Sequence, residues 1–329
     1  MSTGYASYVH SATEPVARGP ISPGMALVGG PPEGPPPEVD AAFAWLFAKS
    51  GWGRFVVIGA DGSDEYGRYV YGDLPPPHPV SVETLIFKSR DAASDPEVLQ
   101  IIRGAHALFI QGGDQWDYVR MWKDTPVQAA INHLLRKGVP VGGSSAGLAV
   151  LGEFLFSARN GSVSASEALA NPYDECLTLD RVLIDSPNLD LPYVCLRNVI
   201  TDSHFHDRNR MGRLLAFMAR LVQDGWTKAA RAIAVDEMTA VLVEADGKAS
   251  VVDKRPESSR GSACFLCAPG PAQSCQPAQP LHYEGVSVYE IRAGQDGASF
   301  DLPSWQGRGG DGYQVSARQG RVCPTILVK

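Results

Sequence analysis

The sequence predicts an α/β protein built on a mostly parallel sheet with helices on both faces, and three observations lead there. The short continuous apolar run Arg54–Gly59 (R-F-V-V-I-G) reads as a strand buried on both sides, and Ser81–Lys88 and Ala107–Ile110 read as further strands. Helical patterns with recognisable starts alternate with these runs, as in a crossover-connected sheet. The third observation is the stretch Val139–Gly152 (V-P-V-G-G-S-S-A-G-L-A-V-L-G), where an apolar run meets small residues and an apolar helical pattern follows. That is the local grammar of a strand feeding a sharp turn into a helix.

The elements follow in order. Residues 1–24 are mixed and punctuated by Pro and Gly, and are expected as a loose lead-in. Met25–Val28 is a short apolar run ending in Gly29-Gly30, followed by a Pro-rich loop through Pro37. Ala41–Ala48 reads as a helix with Phe43, Trp45, Leu46 and Phe47 clustered, stopped by Gly51 and Gly53. After the Arg54 strand, Ala60–Asp73 reads as a polar loop. Asp95-Pro96 opens a helix through Arg103, with aspartate as N-cap and proline at the first helical position. The Ala107 strand ends in Gly112-Gly113. Thr125-Pro126 opens the next helix, with Val127, Ile131, Leu134 and Leu135 facing the core and Gly138 as its stop. Ser157–Leu191 shows no regular alternation and reads as mostly turn and loop, with a short helix at best. Val199–Asp202 is a strand, and an amphipathic helix runs from Arg208. From about Ala232 the pattern changes to short strands, an antiparallel extension of the same domain. Residues 253–281 read as a long loop or irregular hairpin. The expected divisions are 1–24, 25–252 for the α/β domain and 253–329 for a Cys-bearing β-rich extension packed on it.

Composition narrows the function classes. With 329 residues and 44% hydrophobic content, the chain suffices for one large α/β domain with additions. A net charge of −7 argues against a nucleic-acid partner, and no apolar run is long enough to span a bilayer. The first thirty residues, with Glu14 and Pro15, lack the apolar core of a signal peptide, which points to the cytoplasm. Six cysteines keep a secreted protein open. Cys264, Cys267 and Cys275 lie close together, while Cys176, Cys195 and Cys323 are scattered. The C-x-x-C at Cys264 and Cys267 has no second pair to complete a four-ligand set, so disulfides or free thiols come before metal and no metal is expected.

In a parallel sheet the chemistry gathers at the carboxyl ends of strands. Gly143, Ser145 and Gly147 form the G-x-S-x-G of a nucleophile elbow, whose small residues let the backbone turn sharply and present the Ser145 hydroxyl. The plain alternative is a Gly-Ser turn without chemistry. A serine nucleophile needs a base. His10, His78, His106, His133 and His282 lie in the lead-in, among prolines, in ordinary elements or late in the β region. His204 and His206 follow the Val199 strand, with His204 at the junction and His206 one step into the turn, where it is free to face solvent. Arg208, Arg210 and Arg213 crowd the start of the next helix, where the macrodipole is already positive; a bound carboxylate or neighbouring acids such as Asp207 would explain them. Asp236-Glu237 follows another strand end and offers a carboxylate to orient the histidine, or a surface turn.

Four motifs, G-G-D-Q at Gly112, G-G-S-S-A-G at Gly142, D-S-H-F-x-x-R-x-R-M-G-R-L-L at Asp202 and V-D-E-M-T-A at Val235, occur in this order between about Met25 and Val252. Together they resemble the cyanophycinase branch of the S51 serine peptidases. The resemblance implies a class I glutamine-amidotransferase-like (flavodoxin-like) fold, commonly a homodimer, with Ser145 as nucleophile, His204 as base and Glu237 as orienting acid. It also implies aspartyl-binding positions at Gln115, Asp202, Arg208, Arg210 and Arg213. Ala146 and Gly113 N–H groups are the expected oxyanion donors. The implied activity is hydrolysis of cyanophycin or related β-aspartyl peptides through an acyl-enzyme, with no cofactor. Ser203, next to His204, stands where the family carries glutamine, which alters the substrate wall. An α-aspartyl dipeptidase, an α/β-hydrolase esterase using the late His282, and a silent binding protein are the rival readings. The esterase would need further strand–helix units after the elbow, which the sequence does not show.

Overall fold

The computed structural model describes residues 4–12, 19–32, 39–181, 183 and 196–325. The chain opens with β1 (Tyr5–Ser11) and β2 (Gly24–Val28), then α1 (Asp40–Lys49), β3 (Arg54–Gly59), α2 (Glu65–Arg68), β4 (Ser81–Phe87), α3 (Pro96–Arg103) and β5 (Ala107–Ile110). It continues through α4 (Gln115–Trp122), α5 (Pro126–Arg136), β6 (Val141–Ser144), α6 (Ala146–Ala149), β7 (Phe154–Phe156), α7 (Ala165–Ala170), β8 (Leu179–Arg181), β9 (Val199–Asp202), α8 (Met211–Gln223) and β10 (Arg231–Val235). The remainder is all β: β11 (Thr239–Glu244), β12 (Lys248–Asp253), β13 (Ser262–Cys267), β14 (Tyr283–Arg292), β15 (Ser299–Asp301), β16 (Gln306–Arg308), β17 (Asp311–Arg318) and β18 (Arg321–Thr325).

These strands form two sheets. In the first, of order β1-β4-β3-β5-β6-β2-β11-β12-β15-β16, the five strands from β4 to β2 run parallel. In the second, of order β18-β17-β14-β13-β10-β9-β7-β8, the parallel set is β10, β9 and β7. One face of each sheet contributes to a shared core, where Val56, Ile110 and Val141 of the first meet Ile233, Val235 and Phe265 of the second. Because side chains alternate along a strand, Ala232, Ala234 and Leu266 face the opposite way, onto α7 and α8. The outer face of the first sheet packs on α1. The architecture is therefore the expected mostly parallel core with helices and added antiparallel strands.

Local chemistry explains the element starts. The Asp95 carboxylate accepts from Glu97 N at 2.8 Å, capping α3 with Pro96 in its first turn. Thr125 does not cap α5; its hydroxyl donates to the Trp122 carbonyl at the end of α4 instead.

Several expectations need correction. Residues 5–11, expected as loose, form an edge strand paired antiparallel with β4 from Tyr5↔Phe87 to Ser11↔Ser81; half-exposed edge strands lack the apolar signal that buried ones carry. Of that lead-in, residues 1–3 and 13–18 lie outside the described residues, as do residues 33–38 in and after the Pro-rich loop. Residues 65–73, expected as polar loop, form α2 and a π-helical turn over Tyr69–Asp73. Their tyrosines are the reason: Tyr66 and Tyr69 are buried against Phe43, at ring distances of 6.0 and 5.4 Å. Within the stretch expected as mostly turn and loop, α7 is the short helix that reading allowed, starting at a capping box of Ser164 and Glu167; the strand β8, paired with β7, is the difference, and residues 182 and 184–191 lie outside the described residues. β10 is parallel to β9, not part of an antiparallel extension. Residues 262–267, expected as loop, are β13, a strand inserted between β10 and β14. Cys264 and Cys267 are three apart on that strand and so face opposite sides, which prevents them from gripping one ion together. Cys176, Cys264, Cys267, Cys275 and Cys323 are all free thiols; Cys195 lies outside the described residues.

Candidate active site

Ser145 sits between β6 and α6 with φ 52° and ψ −111°, a strained conformation for a residue with a side chain. The flanking glycines are sterically required. A Cβ on Gly143 would lie 2.4 Å from the Gly147 carbonyl oxygen, and one on Gly147 would lie 2.0 Å from that of Ile110. The G-x-S-x-G pattern is thus a packing constraint, with the turn pressed onto the end of β5.

The second sheet supplies the partners. His204 follows β9 and Glu237 follows β10. The Ser145 Oγ lies 2.7 Å from His204 Nε2, and His204 Nδ1 lies 2.7 Å from Glu237 Oε1. With Nδ1–H donated to Glu237, Nε2 is left to accept the serine proton. His204 is 4% exposed and Glu237 8%. The Glu237 N–H donates to Asp207 at 2.8 Å, which fixes the carboxylate's backbone. Burial, followed by the Arg208 and Arg210 cations, pushes the His204 imidazole down to about 3, so it is neutral at ordinary pH.

The stretch Val28-Gly29-Gly30 joins the three segments. The Val28 carbonyl accepts from Ser145 N at 3.0 Å, that of Gly29 from His204 N at 3.1 Å, and that of Gly30 from Met238 N at 2.9 Å. Gly30 has φ 96°, and a Cβ there would fall 2.8 Å from the His204 ring and 3.0 Å from Ser145 Cβ. Sequence reasoning missed these glycines, and it named Asp207 only as a partner for the arginines, not as the acceptor of the Glu237 N–H. The signal was present, since Gly29-Gly30 ends an apolar strand just as Gly112-Gly113 does.

A cavity of about 340 Å³ opens on Ser145 and is lined by Gly113, Gln115, Ala146, Asp202 and Ser203 together with Arg208, Arg210 and Arg213. The expected positions therefore converge on one pocket, apart from His204 and Glu237, which lie behind Ser145. The Tyr118 hydroxyl donates to the Gln111 and Gly112 carbonyls at 2.8 and 2.9 Å and so pins the Gly113 turn.

The arginines are largely matched by protein carboxylates. Arg213 is buried and both its Nε and NH2 donate to Asp202, the former at 2.9 Å. Arg210 donates to the Ser203 carbonyl at 2.8 Å and reaches Asp202 at 3.4 Å. Arg208 Nε donates to Glu237 at 3.2 Å while its side chain stays 46% exposed. Three arginines thus line the pocket beside two carboxylates, Asp114 and Asp202, while Arg208 is also tied to Glu237. Burial lowers the Arg210 guanidinium to about 10, still a cation at neutral pH.

His206 belongs to a separate cluster. Its Nδ1 lies 2.9 Å from Asp236 Oδ1, and Asp236 Oδ2 accepts from Ser262 N at 2.9 Å. The bond to Asp236 raises the His206 pKa. Burial pushes the Asp236 carboxyl up, but the bonds from His206 and Ser262 outweigh it and hold it below its usual range. Ligating atoms of His206, Cys264 and Glu290 lie within 4.8 Å of one another, yet the Ser262 hydroxyl already bridges Glu290, Asp236 and His206, at 2.6, 3.2 and 3.5 Å. His282, the base an esterase would need, pairs with Glu284 at 2.7 Å.

Among known proteins, residues 64–179 match the model of peptidase family S51. The chain is 32% identical over 179 residues to a cyanophycinase of Trichormus variabilis, covering 53% of this chain and 51% of that one. It is 30% identical over 229 residues to a cyanophycinase of Synechococcus elongatus, covering 68% and 62%. The matched region thus spans about half of the first relative and somewhat more of the second. A crystal structure of a peptidase from an acI-B1 Actinobacterium superposes with TM-score 0.53 at 15% identity, covering 85% of this chain and 97% of that one. The fold is that of the class I glutamine-amidotransferase-like group, and over the matched regions the chain is similar to cyanophycinase-like peptidases of family S51.

Proposed function

We propose that this protein is a serine-type exopeptidase that hydrolyses cyanophycin or related β-aspartyl peptides to β-Asp-Arg-type dipeptides. The supporting observation is the unbroken Ser145–His204–Glu237 chain of two 2.7 Å contacts at the floor of a cationic pocket. His204 Nε2 takes the Ser145 proton as Oγ attacks the scissile carbonyl. Negative charge develops on the carbonyl oxygen, and the N–H groups of Ala146 and Gly113, both lining the pocket, are its donors. His204 returns the proton to the leaving amine as the C–N bond breaks, leaving an acyl-Ser145. Water then repeats the cycle with the same base, releasing the acid. Glu237 holds the imidazole tautomer and stabilises the imidazolium that forms in each half.

Selectivity for the branched chain follows from the pocket arginines. Release of β-Asp-Arg leaves the isopeptide whole, so the bond cut is the α-amide joining aspartyl units, and the β-linked arginine beside it carries a free carboxylate. Arg208 and Arg210, whose donors are less fully engaged than those of Arg213, are placed to meet it and to orient the reacting carbonyl. Asp202 and Arg213 act as the support beneath them. Ser203 is buried, with its hydroxyl 3.3 Å from Arg210, so it shapes the wall through that arginine. The deciding experiment incubates the protein with cyanophycin, β-linked Asp-Arg peptides and α-linked Asp-Arg peptides, and reads the products by mass spectrometry. β-Asp-Arg release from cyanophycin is expected, with the β-linkage left uncut; equal cleavage of the plain α-linked peptides would remove the carboxylate clamp.

A further inference from the structure

A second cavity, of about 460 Å³, is lined in part by sequence neighbours of residues that line the first. Gln115 and Ala158 line the active pocket while their neighbours Trp116 and Arg159 line the groove. Ala158 has φ 52°, and this turn sends the next side chain to the far side. The Arg159 backbone N–H is tied to Thr178 Oγ1 at 3.0 Å, and its guanidinium lies over the Trp116 ring at 5.3 Å.

Charge in the groove is unbalanced. Five cationic side chains line it against two carboxylates, Asp124 and Asp180. Three of the five are matched: Arg120 by Asp117, Lys123 by Asp180 and Arg220 by Asp224. Arg90 gives its donors to the backbone carbonyls of Arg120 and Lys123, which carry no net charge. Among the described residues, Arg159 has an indole face and no carboxylate. Asp124 has no cation partner among them either, so two uncompensated cations face one uncompensated anion. A guanidinium stacked on an aromatic face keeps its planar fork free for a carboxylate.

We propose that this groove is a second substrate subsite, binding a carboxylate of an acidic peptide whose reacting end occupies the Ser145 pocket, with Arg159 as the recognising residue and Trp116 as its platform. The proposal rests on the peptidase reading above and adds to it that the enzyme grips a chain longer than the dipeptide it releases. A ten-residue aspartate oligomer is the binding probe, titrated into the Ser145→Ala protein at low and high salt. It should bind at low salt, and Arg159→Ala on that background should weaken binding by about 10-fold, the scale of an exposed charge-assisted contact. Arg159→Lys should recover only part of the loss, because a point charge lacks the fork. In the active protein, Arg159→Ala should raise KM far more for a peptide with four acidic residues beyond the scissile bond than for one with a single residue there. No binding of the oligomer, equal binding by the arginine and alanine proteins, or equal loss on both peptides would overturn the subsite. If neither peptide is cleaved while oligomer binding depends on Arg159, the peptidase reading fails and the groove stands.

Discussion

Two histidines two residues apart, each beside one of two adjacent carboxylates and a serine, behave in opposite ways. His204 bonds Glu237 through Nδ1 and Ser145 through Nε2, so acid, imidazole and hydroxyl form a line through the ring. His206 meets both Asp236 and the Ser262 hydroxyl on the same Nδ1 side, and no relay crosses the ring. The first ring is buried beside arginines; the second side chain is 44% exposed beside acids. The same residue types thus leave a ring nitrogen facing a hydroxyl in one place and make a structural tie in the other. What separates them is which ring nitrogen is left for the hydroxyl, and which charges surround it.

Breaking the first line should have the largest effect. Ser145→Ala is expected to lower kcat by about 10⁴-fold or more with an unchanged melting temperature; steady-state kinetics and calorimetry check both halves. His204→Ala should be comparable and Glu237→Gln about 10³-fold, because the three act as a unit. His206→Ala should cost less than about 10-fold in kcat/KM, and an equal loss at both histidines would erase the contrast. Gly30→Ala lies between, at about 10²-fold, since its Cβ would press on the His204 ring; a crystal structure of the variant should show the ring displaced from Ser145.

The smallest effects are in pH dependence, where the two rings should run in opposite directions. With His204 at about 3 in the free enzyme, kcat/KM should stay flat through pH 6.5 and fall only far below it; a half-maximum near 6.5 would mean that burial and the arginines do not act on the ring. The unfolded chain protonates His204 below about 6.5 while the folded one does not, so this residue withdraws stability as pH falls from there toward 3. The raised pKa of His206 does the reverse. Its contribution is fully present below about 6.5 and is lost as pH rises through the folded value. The stability gap between the parent and His206→Gln should therefore be wider at pH 6 than at pH 9, as read from urea midpoints.

The parallel core was legible because strands buried on both faces are continuously apolar, as at Phe55 to Ile58. Ser145, His204 and Glu237 were approachable because each follows such a strand. β1 and β13 were not. The first is a half-exposed edge, and the second sits between Pro- and Ser-rich segments that read as loop until β10 and β14 flank it. The pairing of Arg213 with Asp202 was equally hidden. Arginines at a helix start look like an anion site, and only tertiary placement shows how much of the anion the protein supplies itself.

The Val28–Gly30 carbonyls also set when the enzyme can come into being. β2 lies between β6 and β11, and the partner strand β11 begins at Thr239, more than two hundred residues after Gly24. Contacts so far apart in sequence form late, because the intervening chain must be closed first. On a ribosome, the Ser145 turn emerges long before the segment that carries Glu237 and Met238 can dock on Gly30. A growing chain therefore holds Ser145 without the Glu237 end of its line, and the order of synthesis itself delays assembly of the site until the fold is nearly whole.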